Sequence, residues 1–242
     1  MEIIEYRKSN DIDVYFEEYN WIFHHTQYDN FRKGTLKCPY ERRTYNIGYL
    51  GEGKYKTRVN NRKTEYYEEW IGMLRRCYNN NQRDRNKRPK YNGCTVCEEW
   101  HNFENFAEWY EENYYEIKEE KMCLDKDILV KGNKIYSPQT CVFVPNRINV
   151  LFTKSDKIRG DFPIGVTYHK RDKVFESKMC YMDKNKIKHS CYLGRYNTSE
   201  EAFQSYKQAK ENYIKQVADE YKDKIPEILY KAMYKYKVNI ND

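Results

Sequence analysis

The segment from Cys123 to Phe152 constrains the fold more than any other part of the chain. Its sequence is CLDKDILVKGNKIYSPQTCVFVPNRINVLF, in which two short apolar runs are separated by turn residues. Apolar runs of this length between turn signals are typical of strands. The predicted elements are a strand at 124–129, a turn at 132–133, a bend at 136–138, a second strand at 141–144 and a short helix at 146–152.

Two polar residues of this segment are candidate ligands for a cation. Asp127 lies at the end of the first predicted strand, and Asn149 lies on the predicted helix that would face it. Two oxygen ligands on rigid elements, with water and a phosphate oxygen, suit Mg²⁺, which keeps several of its waters. Such an ion stabilises the charge of a phosphoryl transition state while a neighbouring base activates water. We therefore expect Asp127 and Asn149 to hold Mg²⁺ or Mn²⁺ and to act in catalysis.

Two amphipathic helices are predicted before this segment. In each, the apolar residues recur at spacings that place them on one helical face. These faces consist of Tyr66, Trp70, Met73, Leu74 and Cys77 in the first helix and of Trp100, Phe103, Phe106, Ala107 and Tyr110 in the second. Arg75 and Arg76 flank the first face, where they can contact phosphate. The polar stretch 79–93 between the helices lacks periodicity and predicts a loop.

The first 60 residues predict a small β module. Short alternating segments such as 12–16 and 21–23 are interrupted by the turn-forming residues Asn20, Gly34 and Pro39. Alternation of this kind is typical of half-buried strands. No run approaches the roughly 18 apolar residues of a membrane helix, and no secretory signal is present. The sequence therefore predicts a globular, cytoplasmic protein without a membrane partner.

The eight cysteines are irregularly spaced and mostly lie in apolar runs, which favours reduced core thiols. Cys94 and Cys97 form a CxxC pair, which by itself supplies only half of a structural zinc site. If the strands bring Cys123 and Cys141 close to this pair, the four sulfurs complete a Zn²⁺ site; otherwise all four are buried thiols. We interpret His101 as a surface or partly packed residue rather than a ligand.

The net charge of +7 is unevenly distributed along the chain. Residues 154–242 hold 19 Lys and Arg against 13 Asp and Glu, so the C-terminal third supplies nearly all of the excess. A basic segment of this kind favours a polyanionic partner. The alternative is that lysine-rich helices serve solubility alone.

The same C-terminal third predicts a sheet followed by a long helix. Three alternating segments, at 164–168, 174–182 and 188–193, predict strands. The sequence from Thr198 to Glu201 predicts a capped helix start, and Pro226 opens a final helix. An apolar stripe on the first of these helices would cover one face of the sheet. The other face would carry cations that can contact phosphates or guanine edges, namely Arg159, Lys170, Arg171, Lys173, Lys178, Lys186, Lys188 and Arg195.

The motifs LDKDI, YSPQTCVFVP and IN, preceded by WxxMLxRCY and CxVCxEWxNFxNFxxW, resemble one known family. They are similar to the HNH, or His-Me finger, endonucleases of phages and mobile elements, in a branch often joined to an AP2-like domain. The resemblance covers residues 64–153 and implies a ββα-metal fold. It also implies that Asp127 binds the metal at the strand end and that Asn149 completes the ion site.

The chain departs from that family at the general base. HNH sites place a His directly after the metal-binding Asp, where this chain has Ile128; in an alternative register Asp127 itself occupies the His position. Thr140 stands in place of the middle Asn, with Asn133 near it. An aspartate, with an unperturbed pKa of about 4, is a poorer base at neutral pH than an imidazole. The histidines that could supply the base from elsewhere are His101, His169 and His189.

Residues 160–210 resemble an AP2 domain. The resemblance rests on a Gly-Val strand, a second strand, Tyr-Leu-Gly, and Thr-x-Glu-Glu-Ala at the start of a helix. It implies a three-stranded sheet that enters the major groove of double-stranded DNA.

These expectations combine into an α+β, multi-module protein. Its predicted domains are an N-terminal β module at 1–60, an HNH-like ββα-metal centre at 64–153 and an AP2-like DNA-binding domain with a C-terminal helix at 159–242. The resemblance implies a site-preferring, metal-dependent DNA endonuclease or nickase of homing type. The alternative is a nuclease-derived protein without catalysis, acting as a DNA-binding regulator or as an anti-defence inhibitor of a host nucleic-acid enzyme.

Overall fold

The computed structural model describes residues 1–153, 161–185 and 187–240, with residue 84 described by its backbone alone. The fold is mixed α+β, with several small sheets and helices. Within these ranges, no helix has the length and apolar character needed to cross a membrane. In chain order the elements are β1 (Glu2–Lys8), β2 (Asp11–Phe16), β3 (Trp21–Thr26), α1 (Tyr28–Arg32), β4 (Arg58–Val59), β5 (Arg62–Lys63), α2 (Glu65–Tyr78), α3 (Gln82–Lys87), β6 (Thr95–Val96), α4 (Phe103–Asn113), β7 (Met122–Asp125), β8 (Ile135–Tyr136), β9 (Val142–Pro145), α5 (Asn146–Leu151), β10 (Val166–His169), β11 (Val174–Met182), β12 (Lys188–Tyr196), α6 (Ser199–Glu220) and α7 (Glu227–Lys235).

The chain divides into two compact units. The first consists of Met1–Tyr114 with Lys134–Gln139, and the second of Tyr115–Asn133 with Thr140–Asp242. The predicted central segment 64–153 therefore contributes residues to both units. The three domain boundaries drawn from the sequence stay a prediction.

The first unit begins with an antiparallel meander of β1, β2 and β3, which we call the N-terminal sheet. Alternate residues of β2 enter a small core, because side chains on a strand point to opposite faces. Ile12 and Val14 are fully buried there, together with Leu36 from the segment after α1. The predicted β character of this region is confirmed.

Helices α2 and α4 pack against each other in the first unit, as their apolar faces predict. Trp70 is fully buried, and its indole Nε1 donates a hydrogen bond to the carbonyl of Trp100 at 2.8 Å. The expectation that Arg76 faces phosphate is wrong. Its guanidinium is turned inward, where it contacts Glu69 at 2.8 Å and donates to the Tyr136 hydroxyl at 3.2 Å. The predicted loop at 79–93 is also corrected, since it contains the short helix α3.

In the second unit, the antiparallel pair of β7 and β9 is followed directly by α5, which packs against both strands. This arrangement matches the predicted order of two strands and a helix. The first strand is shorter at its end than predicted, because the chain turns after Asp125. The carboxylate Oδ1 of Asp125 accepts hydrogen bonds from the amides of Asp127 and Ile128 at 2.9 and 2.8 Å, which closes the turn.

The second unit also contains an antiparallel meander of β10, β11 and β12, which we call the C-terminal sheet. The three predicted strands are confirmed. Helix α6 packs across all three of them and begins with a complete capping box between Thr198 and Glu201. Gly165 permits this packing, because a Cβ atom there would lie 2.0 Å from the ring of Tyr206, and its φ of +78° favours glycine.

Candidate functional site

Helix α6 separates the two faces of the C-terminal sheet into a core face and an exposed face. Met179 of β11 is buried in the core formed with α6, and Ser177 is fully buried on the same side. Because side chains alternate along a strand, Glu176, Lys178 and the next alternate residues lie on the opposite face. We call this opposite surface the cationic face. It consists of Thr167, Glu176, Lys178, Cys180, Met182, Lys188, Ser190, Tyr192 and Arg195.

Three of the eight cations predicted to bind DNA lie on this cationic face. Lys178, Lys188 and Arg195 are all exposed. Three more, Lys170, Arg171 and Lys173, lie in the turn between β10 and β11. The remaining two, Arg159 and Lys186, lie outside the described residues. The structure thus places the six described cations in one hairpin turn and on one face of a single sheet.

Two carboxylates orient Arg195 on the cationic face. Its Nη1 lies 3.0 Å from Asp172, while its Nη2 lies 3.0 Å from Glu176, which sits directly opposite it in the strand register. Glu176 raises the pKa of Arg195 most strongly, and the guanidinium in turn lowers the pKa of Glu176 after Lys178 does. Lys178 lies 3.0 Å from Glu176 and also over the ring of Tyr192. Because the acid in these pairs is buried and the cations are exposed, the pairs hold the cationic side chains in position.

Among the described residues, the other lysines of this surface form no ion pair. Lys170, Lys173 and Lys188 are exposed and carry no partner within the described ranges. A strongly hydrated ammonium without an internal partner is free to contact a phosphate oxygen. The cationic face and the β10–β11 turn therefore combine two guanidinium groups paired with acids, those of Arg171 and Arg195, with exposed lysines that form no ion pair within the described residues.

The two predicted metal ligands lie on different elements of the second unit. Asn149 is half-buried on α5, and Asp127 lies in the turn that follows β7, two residues beyond the strand end. The Asp127 carboxylate remains 45% exposed, so a solvated cation can reach it. It also lies 3.2 Å from the ammonium of Lys126, whose side chain is only 8% exposed. The Lys126 ammonium would therefore compete with any cation that binds the Asp127 carboxylate.

Asn133 and Asp125 hold the turn around Asp127 by hydrogen bonds. Asn133 donates from Nδ2 to the carbonyl oxygen of Lys126 at 2.7 Å, and this is the residue that the sequence placed near the missing middle Asn. Burial, and then the negative charge of Asp127, raises the pKa of Asp125 to about 6. Desolvation of this kind is common at functional sites, although structural networks also produce it.

Sequence reasoning missed Asp125. The alternation predicted a strand that continued to residue 129, which put Asp127 at its end and left Asp125 inside the strand. The two acids are spaced at i and i+2, and the structure ends the strand at the first of them. A signal was available, because an Asp whose side chain caps a following turn is favoured where a strand stops.

Two of the three candidate replacement bases contact carboxylates, and the third contacts a backbone carbonyl. His169 lies 3.4 Å from Asp172, and His189 lies 2.9 Å from Asp183, both on the C-terminal sheet. His101 belongs to the first unit, where its Nε2 contacts the carbonyl of Val96 at 3.1 Å and burial lowers its pKa. The interpretation of His101 as a partly packed residue is confirmed.

The predicted zinc ligands are divided between the units. Cys94 and Cys97 belong to the first, and Cys123 and Cys141 to the second. All four are free thiols, and the four-sulfur site stays a prediction. Within the described ranges, one group of three metal-ligating side chains does converge, and no sequence pattern had suggested it. It consists of Asp11, Asp13 and His25 of the N-terminal sheet.

Comparison with known proteins identifies no relative: no protein-family model, no curated protein and no solved structure matches the chain. The chemistry of the cationic face, of the turn after β7 and of α5 therefore follows from their own side chains.

Proposed function

We propose that this chain binds double-stranded DNA through the cationic face and acts as a site-preferring, metal-dependent endonuclease or nickase of HNH type. Such a protein would be encoded by a phage or mobile element and would work in the host cytoplasm. The observation that carries the proposal is the cationic face itself. Lys178, Lys188 and Arg195 project from one side of a sheet whose other side is closed by α6.

Three features of this face suit a nucleic-acid duplex. A three-stranded antiparallel sheet is narrow enough to enter the major groove, where Arg can reach guanine. Arg195 is already oriented by Asp172 and Glu176, so little freedom is lost when it binds. The lysines without described partners can neutralise phosphates, and the release of counterions then supplies much of the affinity.

The residues of the turn after β7 and of α5 fit a magnesium ion by their chemistry. Asp127 and Asn149 offer oxygen atoms, which Mg²⁺ prefers, and Mn²⁺ accepts the same ligands. When bound, the ion would polarise the scissile phosphate and stabilise the leaving oxygen. Asp125 contributes as a positioning residue, because its carboxylate fixes the turn that presents Asp127. Asn133 contributes from the other side of the turn by holding the Lys126 carbonyl.

A second candidate function is DNA binding without cleavage, as a regulator or as an inhibitor of a host nucleic-acid-processing enzyme. One contact favours it. The buried ammonium of Lys126 lies 3.2 Å from the Asp127 carboxylate and can occupy the place of the cation permanently. The absence of a histidine from the segment 123–152 points in the same direction, because the usual general base is then missing.

The binding part of the proposal is tested by the salt dependence of DNA affinity. We expect the triple substitution Lys178→Gln, Lys188→Gln and Arg195→Gln to weaken binding and to reduce the slope of log K against log salt by about 2 to 3. The matched control replaces Lys222, Lys224 and Lys231 by Gln, which removes the same charge from exposed positions outside the sheet. Equal losses in both triple variants would refute the assignment of the cationic face.

The catalytic part is tested by incubating supercoiled DNA with the protein in Mg²⁺ and in Mn²⁺. We expect nicks or cuts that disappear with Asn149→Ala and with Asp127→Asn. The control is Lys126→Met, which removes the competing ammonium and should increase cleavage and metal affinity. Intact DNA with every folded, DNA-binding variant, including Lys126→Met, would refute cleavage of the DNA tested and favour the second candidate.

A further inference from the structure

A bulge in the N-terminal sheet turns the side chains of two consecutive histidines toward acidic residues of the neighbouring strand β2. In the register of β2 and β3, Ile12 pairs with Thr26 and Val14 pairs with Phe23, so Asp13 faces two residues, His24 and His25. A bulge of this kind places an extra residue in one strand and changes the direction of its side chains. His25 has a φ of +55°, which is uncommon for a residue with a side chain.

Both imidazoles consequently reach acidic oxygens of β2. The Nδ1 atom of His24 lies 2.8 Å from Oδ2 of Asp13, and Nδ1 of His25 lies 2.9 Å from Oδ1 of Asp11. The amide of His25 also donates to Oδ1 of Asp13 at 3.0 Å. One ligand atom from each of Asp11, Asp13 and His25 lies within 4.8 Å of the others. This distance is short enough for all three to bind one ion.

Arg7 of β1 now contacts the same three side chains. One terminal nitrogen of its guanidinium lies 3.0 Å from Asp11 and 3.2 Å from Nδ1 of His25, and it also contacts Asp13. A second terminal nitrogen lies 2.6 Å from Glu5. The three acids outnumber the single guanidinium, so the cluster keeps a net charge of −2 when both imidazoles are neutral. The cluster therefore still attracts a cation.

The hydrogen bonds around His25 cannot all be made at once. A neutral imidazole nitrogen is either a donor or an acceptor. If Nδ1 donates to Asp11, it meets the N–H of Arg7 with its own hydrogen. If it accepts from Arg7, its lone pair faces a carboxylate oxygen 2.9 Å away. A metal ion would replace both arrangements, because it takes a lone pair from the imidazole and another from the carboxylate.

We propose that Asp11, Asp13 and His25, with His24 beside them, form a binding site for a divalent first-row transition ion such as Zn²⁺. Arg7 is the internal cation that holds these ligands together until the ion displaces it. The mixed oxygen and imidazole donor set suits Zn²⁺ and Co²⁺ better than Mg²⁺, which prefers oxygen alone. Since the ligands lie on β2 and β3, the ion would fasten these two strands together.

The proposal is tested by titrating the full, reduced chain with Zn²⁺ in a calorimeter and with Co²⁺ in a spectrophotometer. The eight free thiols can bind the same ions, but Co²⁺ bound by thiolate gives an intense near-ultraviolet band that oxygen and imidazole ligands do not give. We expect a Co²⁺ site without that band. We expect His25→Ala and Asp11→Asn to weaken it on the order of 100-fold, the upper end of the loss seen when only an outer-shell partner of a ligand is removed.

Two further variants distinguish loss of the metal site from unfolding of the protein. Arg7→Gln removes the positive charge that repels the ion and should tighten binding about tenfold, a gain that misfolding cannot produce. His189→Ala, which breaks the histidine-carboxylate pair with Asp183, should leave this site unchanged. The same holds for Asp127→Asn, so the result is independent of the proposed nuclease. Equal affinity in the wild type and His25→Ala, or no gain in Arg7→Gln, would overturn the proposal.

Discussion

The N-terminal and C-terminal sheets share one topology but differ in what covers them. Both are three-stranded antiparallel meanders whose middle strand pairs with both neighbours. The C-terminal sheet is covered by α6, 22 residues long, and joins a core that extends to α5 and α7. Among the described residues, the N-terminal sheet packs against the five-residue α1 and shares a small core with Leu36. A small sheet needs a buried hydrophobic face or a packed helix for independent stability, so the covering element affects how stable each meander is.

The two sheets also carry opposite charge on their polar surfaces. In the N-terminal sheet, Glu5, Asp11 and Asp13 surround a single Arg7. In the C-terminal sheet and its β10–β11 turn, six described cations surround two acids, Asp172 and Glu176. One strand topology therefore presents a surface suited to a cation in one case and to a polyanion in the other. What the surface can bind is set by its side chains, and the topology alone does not reveal it.

The largest expected effect compares the same substitution in the two cores. Ile214 of α6 is 1% exposed and Ile12 of β2 is fully buried. We expect Ile214→Ala to lower the free energy of unfolding by about 3–5 kcal/mol and Ile12→Ala by about 2–3 kcal/mol. The reason is that the N-terminal core is small and is bordered by partly exposed side chains, so it can collapse into the cavity more easily.

This difference is measured by native-state hydrogen exchange of the β2 and β11 amides, together with chemical denaturation. The variants are compared with the wild type under identical conditions. Ile12→Ala could instead lower the free energy of unfolding as much as Ile214→Ala does, or more. That result would show that the smaller cover of the N-terminal sheet does not make its core more tolerant of a cavity.

The second effect concerns an unusual lysine in the helix that covers the C-terminal sheet. Burial lowers the pKa of Lys210 from 10.5 to about 8, and the residue has no ion pair within the described ranges. Since Lys210 is partly exposed, we expect Lys210→Met to stabilise the protein by about 1–2 kcal/mol at pH 7.

The pH dependence gives the sign of the Lys210 effect. Between pH 8 and 10.5 the unfolded chain binds more protons at this residue than the folded chain does, so wild-type stability should rise with pH across that window. Lys210→Met should lose this rise, and its advantage should shrink above pH 8. Denaturation curves at pH 7 and pH 10 measure both, with the exposed Lys222→Met as the control. A gain that is the same at both pH values would contradict the assigned cause.

The third and smaller effect concerns the start of α6. The Thr198 hydroxyl accepts from the Glu201 amide at 3.2 Å, and Glu201 accepts from the Thr198 amide at 3.2 Å. We expect Thr198→Ala to cost about 1 kcal/mol. Thr198→Ser keeps the acceptor and should cost less, as denaturation of both variants would measure. A loss as large for Ser as for Ala would show that the hydroxyl is not the source of the stability.

Much of this fold follows from local patterns, whereas the sites depend on contacts between distant residues. The strands around residues 174–182 and the cap at Thr198 were predictable because alternation and capping act over a few residues. The turn after Asp125 was missed, because the Asp125 side chain, rather than the hydrophobic period, ends the strand. The cluster of Asp11 and His25 was also missed, because a bulge and a positive φ bring the two together and neither has a strong sequence signal.

The smallest expected effect is a difference in acid sensitivity between the two sheets. The amide of His25, followed by Arg7, lowers the pKa of Asp13, and Arg7 lowers the pKa of Asp11. Carboxylates with lowered pKa contribute stability above their unfolded value of about 4, and this contribution is lost as the pH falls toward their folded values.

As the pH falls below about 4, we therefore expect the N-terminal sheet to lose order before the C-terminal sheet. Asp172 and Glu176 of the C-terminal sheet also have lowered pKa values, but the core under α6 remains when they are protonated. Amide resonances of β2 and β11 followed by NMR from pH 7 to acid would separate the two. In Asp13→Asn the acid-sensitive step at β2 should become smaller, because one of its two carboxylates is gone. Earlier loss of β11, or an unchanged step in Asp13→Asn, would break the comparison, since a helix-covered sheet should outlast one that relies on its surface charges.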